Sequence, residues 1–92
     1  MERQRLTIYF SGRVQGVGFR YTVKTLTTGF EVTGTVRNLP DGRVHLVTEG
    51  VREELEAFQQ AIRDSGVGRF IRQEEVLWGP AEGGFRGFEI VG

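Results

Sequence analysis

The chain has 92 residues, 38% hydrophobic and 26% charged, a composition that fits one small globular domain and excludes a disordered or fibrous chain. Twelve Lys and Arg balance twelve Asp and Glu, so no overall charge draws the protein to nucleic acid or an anionic membrane, and any anion site must be local. The sequence has no cysteine, which excludes disulfides, thiolate metal sites and cysteine nucleophiles.

Met-Glu-Arg-Gln-Arg runs into a short apolar strand, without the long apolar segment of a signal peptide or a membrane span, so a cytoplasmic location is expected. Leu6, Ile8 and Phe10 alternate with Thr7 and Tyr9, the period of a strand with one buried face. A glycine-spaced run, Ser11-Gly-Arg-Val-Gln-Gly-Val-Gly-Phe-Arg20, follows at once. Beyond it Phe19, Val23, Leu26 and Phe30 form one apolar stripe of a helix. Thr22, Val23, Thr25, Thr27, Thr28 and Gly29 are poor helix formers, so packing must hold this helix and an early end is expected near Thr28.

Val32, Gly34 and Val36 alternate with polar residues, and after Asn38-Leu-Pro-Asp-Gly42 a second alternating run carries Val44 and Leu46. With Pro40, Asp41 and Gly42 supplying turn chemistry, the pair reads as a β-hairpin. Val51, Leu55, Phe58 and Ile62 mark a second helix, with Glu53 and Glu54 near its positive end and Gly66 as its stop. Residues 70–78 and 85–91 read as two last strands, the latter with Phe88 and Ile90 on one face. This order predicts a single α+β domain over residues 1–92: a ferredoxin-like βαββαβ sandwich, its four- to five-stranded, mainly antiparallel sheet covered on one face by two helices.

The glycine run has the makings of an anion cradle. Gly12, Gly16 and Gly18 admit backbone conformations that other residues resist, so successive N–H groups can turn toward one point. A helix starting near Phe19 adds unpaired amides and a positive dipole end, and Arg20 adds a planar fork suited to two phosphate oxygens. The dinucleotide fingerprint fails because Tyr21 stands where its third glycine belongs, and no Gly-Lys-Ser/Thr ends the run as in a Walker loop. Thiol-dependent phosphatases place a cysteine six positions before such an arginine; here that position is Val14. Residues 11–20 contain no Asp, Glu or His, so a metal or a phosphoenzyme has no ligand or nucleophile there and water is the expected attacking group.

Gly12-Arg-Val-Gln-Gly-Val-Gly-Phe-Arg20, with Gly34-Thr-Val-Arg-Asn38, Asp41-Gly-Arg-Val44 and a terminal Gly-Phe-Glu-Ile segment, resembles acylphosphatase over nearly the whole chain. The resemblance implies a ferredoxin-like enzyme that hydrolyses the carboxyl-phosphate bond of acyl phosphates without metal or cofactor. It further implies that Arg20 and the amides of Val14, Gln15, Gly16, Val17, Gly18 and Phe19 hold the phosphoryl group while Asn38 positions the water. An amide such as Asn38 is not basic near neutral pH, so its role is orientation rather than proton abstraction. Thr35, where relatives often carry a bulky aromatic, and the threonine-rich segment before Phe30 depart from the pattern and bear on stability more than on chemistry.

Arg13 and Arg37 are read as solvated surface charges, and His45 as an exposed or half-buried sheet residue. Phe58, Phe70, Trp78, Phe85 and Phe88 are read as packing rather than a base-stacking platform. The competing reading is a non-catalytic ferredoxin-like anion-binding module. An RNA-binding sheet would want basic and aromatic residues where Val44-His-Leu-Val-Thr-Glu-Gly50 runs. Acylphosphatase-like domains also open larger enzymes that handle carbamoyl phosphate; with nothing after Gly92 to receive a carbamoyl group, a free-standing, monomeric hydrolase is expected.

Overall fold

Leu6, Ile8 and Phe10 are fully buried, so the alternating pattern of the first segment becomes one face of a strand, β1 (Arg3–Gly12), in the interior of the sheet. The computed structural model describes residues 2–92. After β1 come α1 (Phe19–Leu26), β2 (Thr33–Asn38), β3 (Val44–Val51), α2 (Arg52–Asp64), β4 (Ile71–Pro80) and β5 (Phe88–Ile90), with short 3-10 turns at Thr27–Gly29 and Gly68–Phe70. The sheet order is β4-β1-β3-β2-β5, antiparallel throughout except for the parallel pair β2 and β5. Both helices pack on the face that carries Leu6, Ile8, Phe10, Val36, Val44 and Leu46, giving the expected ferredoxin-like arrangement.

The stripe of α2 is realised as Leu55, Phe58 and Ile62, all buried, with Glu53 and Glu54 in its first turn and Arg63 in its last, where each charge suits the helix dipole. Val51 belongs to the end of β3 and precedes the helix instead of starting it. Phe58 joins the two halves of the core: its ring lies 5.6 Å from Phe30 and 6.0 Å, edge-on, from Phe88. Phe10 and Phe19 meet at 5.0 Å and bind the start of α1 to β1.

The first helix stops sooner than its apolar stripe suggests. α1 ends at Leu26, and Phe30 lies past it in extended backbone, still packed on the core. The hydroxyls of Thr27 and Thr28 donate to the carbonyls of Lys24 and Thr25 at 2.6 and 2.9 Å, so side chains take up acceptors at the helix end and the chain tightens into a 3-10 turn. The last strand is also shorter than its sequence pattern. Only residues 88–90 pair with β2, and positive φ values at Gly83, Gly84 and Gly87 keep the preceding segment out of the ladder.

The face away from the helices is open. Thr35 lies on it, opposite Val47, so its departure from the aromatic pattern touches that face and not the helix side. His45 is half-buried there, stacked on Tyr9 at 4.5 Å, and its pKa falls below the ordinary value because burial and the Arg37 and Arg43 charges disfavour the protonated ring. Among the described residues no helix is long and apolar enough to cross a membrane.

Candidate active site

The glycine run leaves β1 at a register shift between Ser11 and Gly12. A Cβ at Gly12 would collide with the Phe70 carbonyl, and the Arg13 amide donates to that carbonyl at 3.1 Å, so a side chain here would push the loop off its anchor. Val14 and Phe19 then sink into the core while Gly16 and Gly18 stay exposed, which pins the loop at both ends and leaves its middle toward solvent. Gly18 caps α1 in the left-handed region, at φ 79° and ψ 19°, with no side-chain cap. Its carbonyl accepts the first helical bond from Thr22 at 3.0 Å, so the amides of Phe19, Arg20 and Tyr21 have no acceptor within the helix.

A cavity of about 200 Å³ sits at this point. Its wall includes Val14, Gly16, Gly18, Phe19 and Arg20 from the loop and helix start, with Asn38 from the end of β2. Arg20 belongs to none of the ion pairs among the described residues, so no carboxylate neutralises it. No Asp, Glu or His lines the cavity. A larger hollow of about 450 Å³ lies elsewhere, but it sets Glu31, Glu53 and Glu54 against a single arginine, Arg3, the wrong sign for a phosphoryl group.

Two residues of the loop have side chains that point to other work. Gln15 donates from Nε2 to the carbonyls of Leu39 at 2.8 Å and Arg43 at 3.0 Å, binding the loop to the turn that follows Asn38. Val17 packs against the core. The turn is fixed in its own right: Leu39 N–H donates to Arg43 O at 2.8 Å, and Arg43 pairs with Asp41 through Nε at 2.8 Å. The hydrogen bond from the Arg43 amide, with the guanidinium beside it, holds the Asp41 carboxyl below its ordinary range. Arg13 and Arg37 are exposed and do not line the cavity. Tyr21 and Ile90 do line it, and sequence reasoning passed over both. Tyr21 had a signal in its position beside Arg20; Ile90 reaches the site only through the parallel pairing of β5 with β2.

A family model described as acylphosphatase matches residues 6–90, nearly the whole chain. The chain belongs to the acylphosphatase family. It is 42% identical over 92 residues to an acylphosphatase of Acidothermus cellulolyticus, an alignment covering 95% of this chain and 86% of that one. The crystal structure of acylphosphatase from Bacillus subtilis superposes with a TM-score of 0.85 at 34% identity, covering 96% of this chain and 98% of that chain. A crystal structure of full-length HypF in its phosphate- and nucleotide-bound form matches with a TM-score of 0.84 at 26% identity, covering 99% of this chain but 12% of that one. Family membership and the ferredoxin-like sheet thus agree on an acylphosphatase whose glycine loop, Arg20 and Asn38 meet at one cavity.

Proposed function

We propose that this acylphosphatase hydrolyses acyl phosphates with Arg20 and the loop amides of residues 14–19 holding the phosphoryl group and Asn38 aiming the attacking water. The observation that carries the reading is the meeting of an unpaired Arg20, a glycine loop opening a helix and Asn38 around one cavity that no carboxylate lines. Two phosphoryl oxygens take the guanidinium fork while the free first-turn amides and dipole end of α1 face the remaining charge. Water bonds to phosphorus as the bond from phosphorus to the acyl oxygen breaks. The electron pair leaves on the carboxylate, and the water's proton passes to a phosphoryl oxygen.

A carboxylate is a good leaving group, so the reaction asks for no general acid, and an amide suffices at position 38 because its task is orientation. Charge stabilisation by Arg20 and fixed backbone dipoles carries most of the catalysis. On this reading no metal or cofactor takes part. Residues 1–92 act as one catalytic unit, a cytoplasmic monomer with a small-molecule substrate and no nucleic-acid or membrane partner. The balance of twelve basic and twelve acidic residues supports the last point, since it leaves no broad field for polyanions.

Benzoyl phosphate hydrolysis measured with a metal chelator present tests the assignment. Turnover is expected to persist with chelator. Asn38→Ala is expected to lose about a hundredfold or more in kcat while still binding inorganic phosphate, because water is misplaced but the cradle is intact. Arg20→Ala is expected to lose phosphate binding as well. A folded wild-type protein that binds phosphate and turns over no acyl phosphate would leave the anion-binding module as the better account.

A further inference from the structure

Among the described residues three large apolar side chains are exposed: Tyr21 at 72%, Leu77 at 51% and Ile90 at 37%. Two of the three, Tyr21 and Ile90, line the same cavity as Arg20 and Asn38. They arrive from different elements, Tyr21 from the first turn of α1 and Ile90 from the end of β5, paired in register with Val36 of β2. Neither is a core residue. In α1 the buried positions are Phe19 and Val23, and in β5 the buried residue is Phe88, two positions before Ile90 on the same face. Single exposed apolar residues are ordinary, whereas two at one cavity beside the only cation of its wall form a surface with a use.

We propose that Tyr21 and Ile90 receive the acyl group of the substrate and select acyl phosphates with aromatic or bulky aliphatic acyl groups over small ones such as acetyl. The inference rests on the hydrolase reading above. With the phosphoryl group on Arg20 and the loop amides, the acyl group has to lie along the part of the wall that they do not occupy. Tyr21 and Ile90 remain there, apart from Asn38, whose water approaches phosphorus opposite the departing acyl group. No second cation lines the cavity, so a charged acyl group finds no counter-charge, while an apolar one sheds water against a phenol ring and an isoleucine side chain. An aryl acyl group gains further from offset or edge-on contact with the Tyr21 ring.

The test compares kcat/KM for benzoyl and acetyl phosphate in the wild type, Tyr21→Ala, Ile90→Ala, the double alanine variant and Tyr21→Phe, with inhibition by inorganic phosphate followed in each. Taking the benzoyl-to-acetyl ratio of each variant relative to the wild type cancels the intrinsic reactivity of the two acyl phosphates. That ratio is expected to fall roughly three- to tenfold in each single alanine variant and further in the double, through the benzoyl value. Tyr21→Phe keeps the ring and is expected to keep the ratio. An unchanged ratio in the double variant, with inorganic phosphate still inhibiting, overturns the assignment of the acyl rim. A wild type that hydrolyses neither acyl phosphate overturns the hydrolase reading instead, so the two failures are told apart.

Discussion

The side chain of Gln15 donates to the main-chain carbonyl of Leu39 at 2.8 Å, which ties the glycine loop to the residue that directly follows Asn38. A second bond from the same nitrogen to Arg43 O at 3.0 Å closes over the turn. The two parts of the site come from either side of α1, and Gln15 gives them a direct polar link. Gln15→Ala removes both bonds and leaves two carbonyls without that donor, a stability loss of about 1–3 kcal/mol. The functional cost should exceed what that loss implies, because Asn38 then drifts relative to the cradle. We expect kcat for benzoyl phosphate to fall roughly tenfold, with a smaller change in inhibition by inorganic phosphate. Equal losses in kcat and phosphate affinity would mean that Gln15 shapes the cradle alone.

Gly18 offers a cleaner test of backbone geometry. A Cβ there would meet nothing within 4 Å, so the effect of Gly18→Ala is conformational and not steric crowding by the fold. At φ 79° an alanine pays about 1–2 kcal/mol for the left-handed conformation. The strain can be relieved by rotating the first turn of α1, which carries the free amides away from their common direction. Isothermal titration with inorganic phosphate should show weaker binding in Gly18→Ala, accompanied by a lower thermal midpoint. Full phosphate affinity in a destabilised variant would show that the helix start contributes little to the anion site.

The threonine-rich first helix sets the order of that same start. Thr25 is exposed and turns its hydroxyl back to the Tyr21 carbonyl at 2.9 Å, a bond that competes with regular helix geometry. Thr25→Ala should stabilise α1 by up to about 0.7 kcal/mol from propensity. If fraying of α1 limits the cradle, phosphate binding tightens along with it. Hydrogen exchange of the α1 amides, measured beside phosphate affinity, checks both, and tighter protection without tighter binding would separate helix order from anion affinity.

Much of this was legible in the sequence because it is local. The period of two at Leu6, Ile8 and Phe10 and the stripe of Leu55, Phe58 and Ile62 each report a single buried face, and each is buried. The spacing of glycines before Arg20 likewise announced a loop that opens a helix. Periodicity alone carried the stripe of α1 on to Phe30, whereas the run of poor helix formers pointed to an early end near Thr28, and Thr27 and Thr28 do close α1 before Phe30. Periodicity was blind to contacts made across the fold. Gln15 reaching Leu39, Ile90 reaching the cavity through β2, and Glu49 under the segment before β5 all depend on which strands lie side by side.

Glu49 supplies the last prediction. It is 1% exposed on β3, and its carboxylate accepts from Arg5 Nε at 2.8 Å and from the amides of Glu82 and Gly83 at 2.8 and 3.0 Å, fastening the link between β4 and β5 across the open sheet face. Burial alone would raise its pKa, but these donors outweigh burial and hold it below the ordinary value of 4.5. The unfolded chain therefore binds the proton first, so the stability that Glu49 contributes is complete above about 4.5 and is lost as pH falls through the lowered folded value. His45 acts with the same sign in a higher window: its folded pKa lies below 6.5, so acidification past that value already favours the unfolded chain. Glu49→Gln should cost about 1–3 kcal/mol at neutral pH through the lost charge-assisted bonds. It should also flatten the fall in thermal midpoint below pH 4.5 while leaving the His45 step in place. An acid slope that runs parallel in variant and wild type would remove Glu49 from the account and leave the connector held by other contacts.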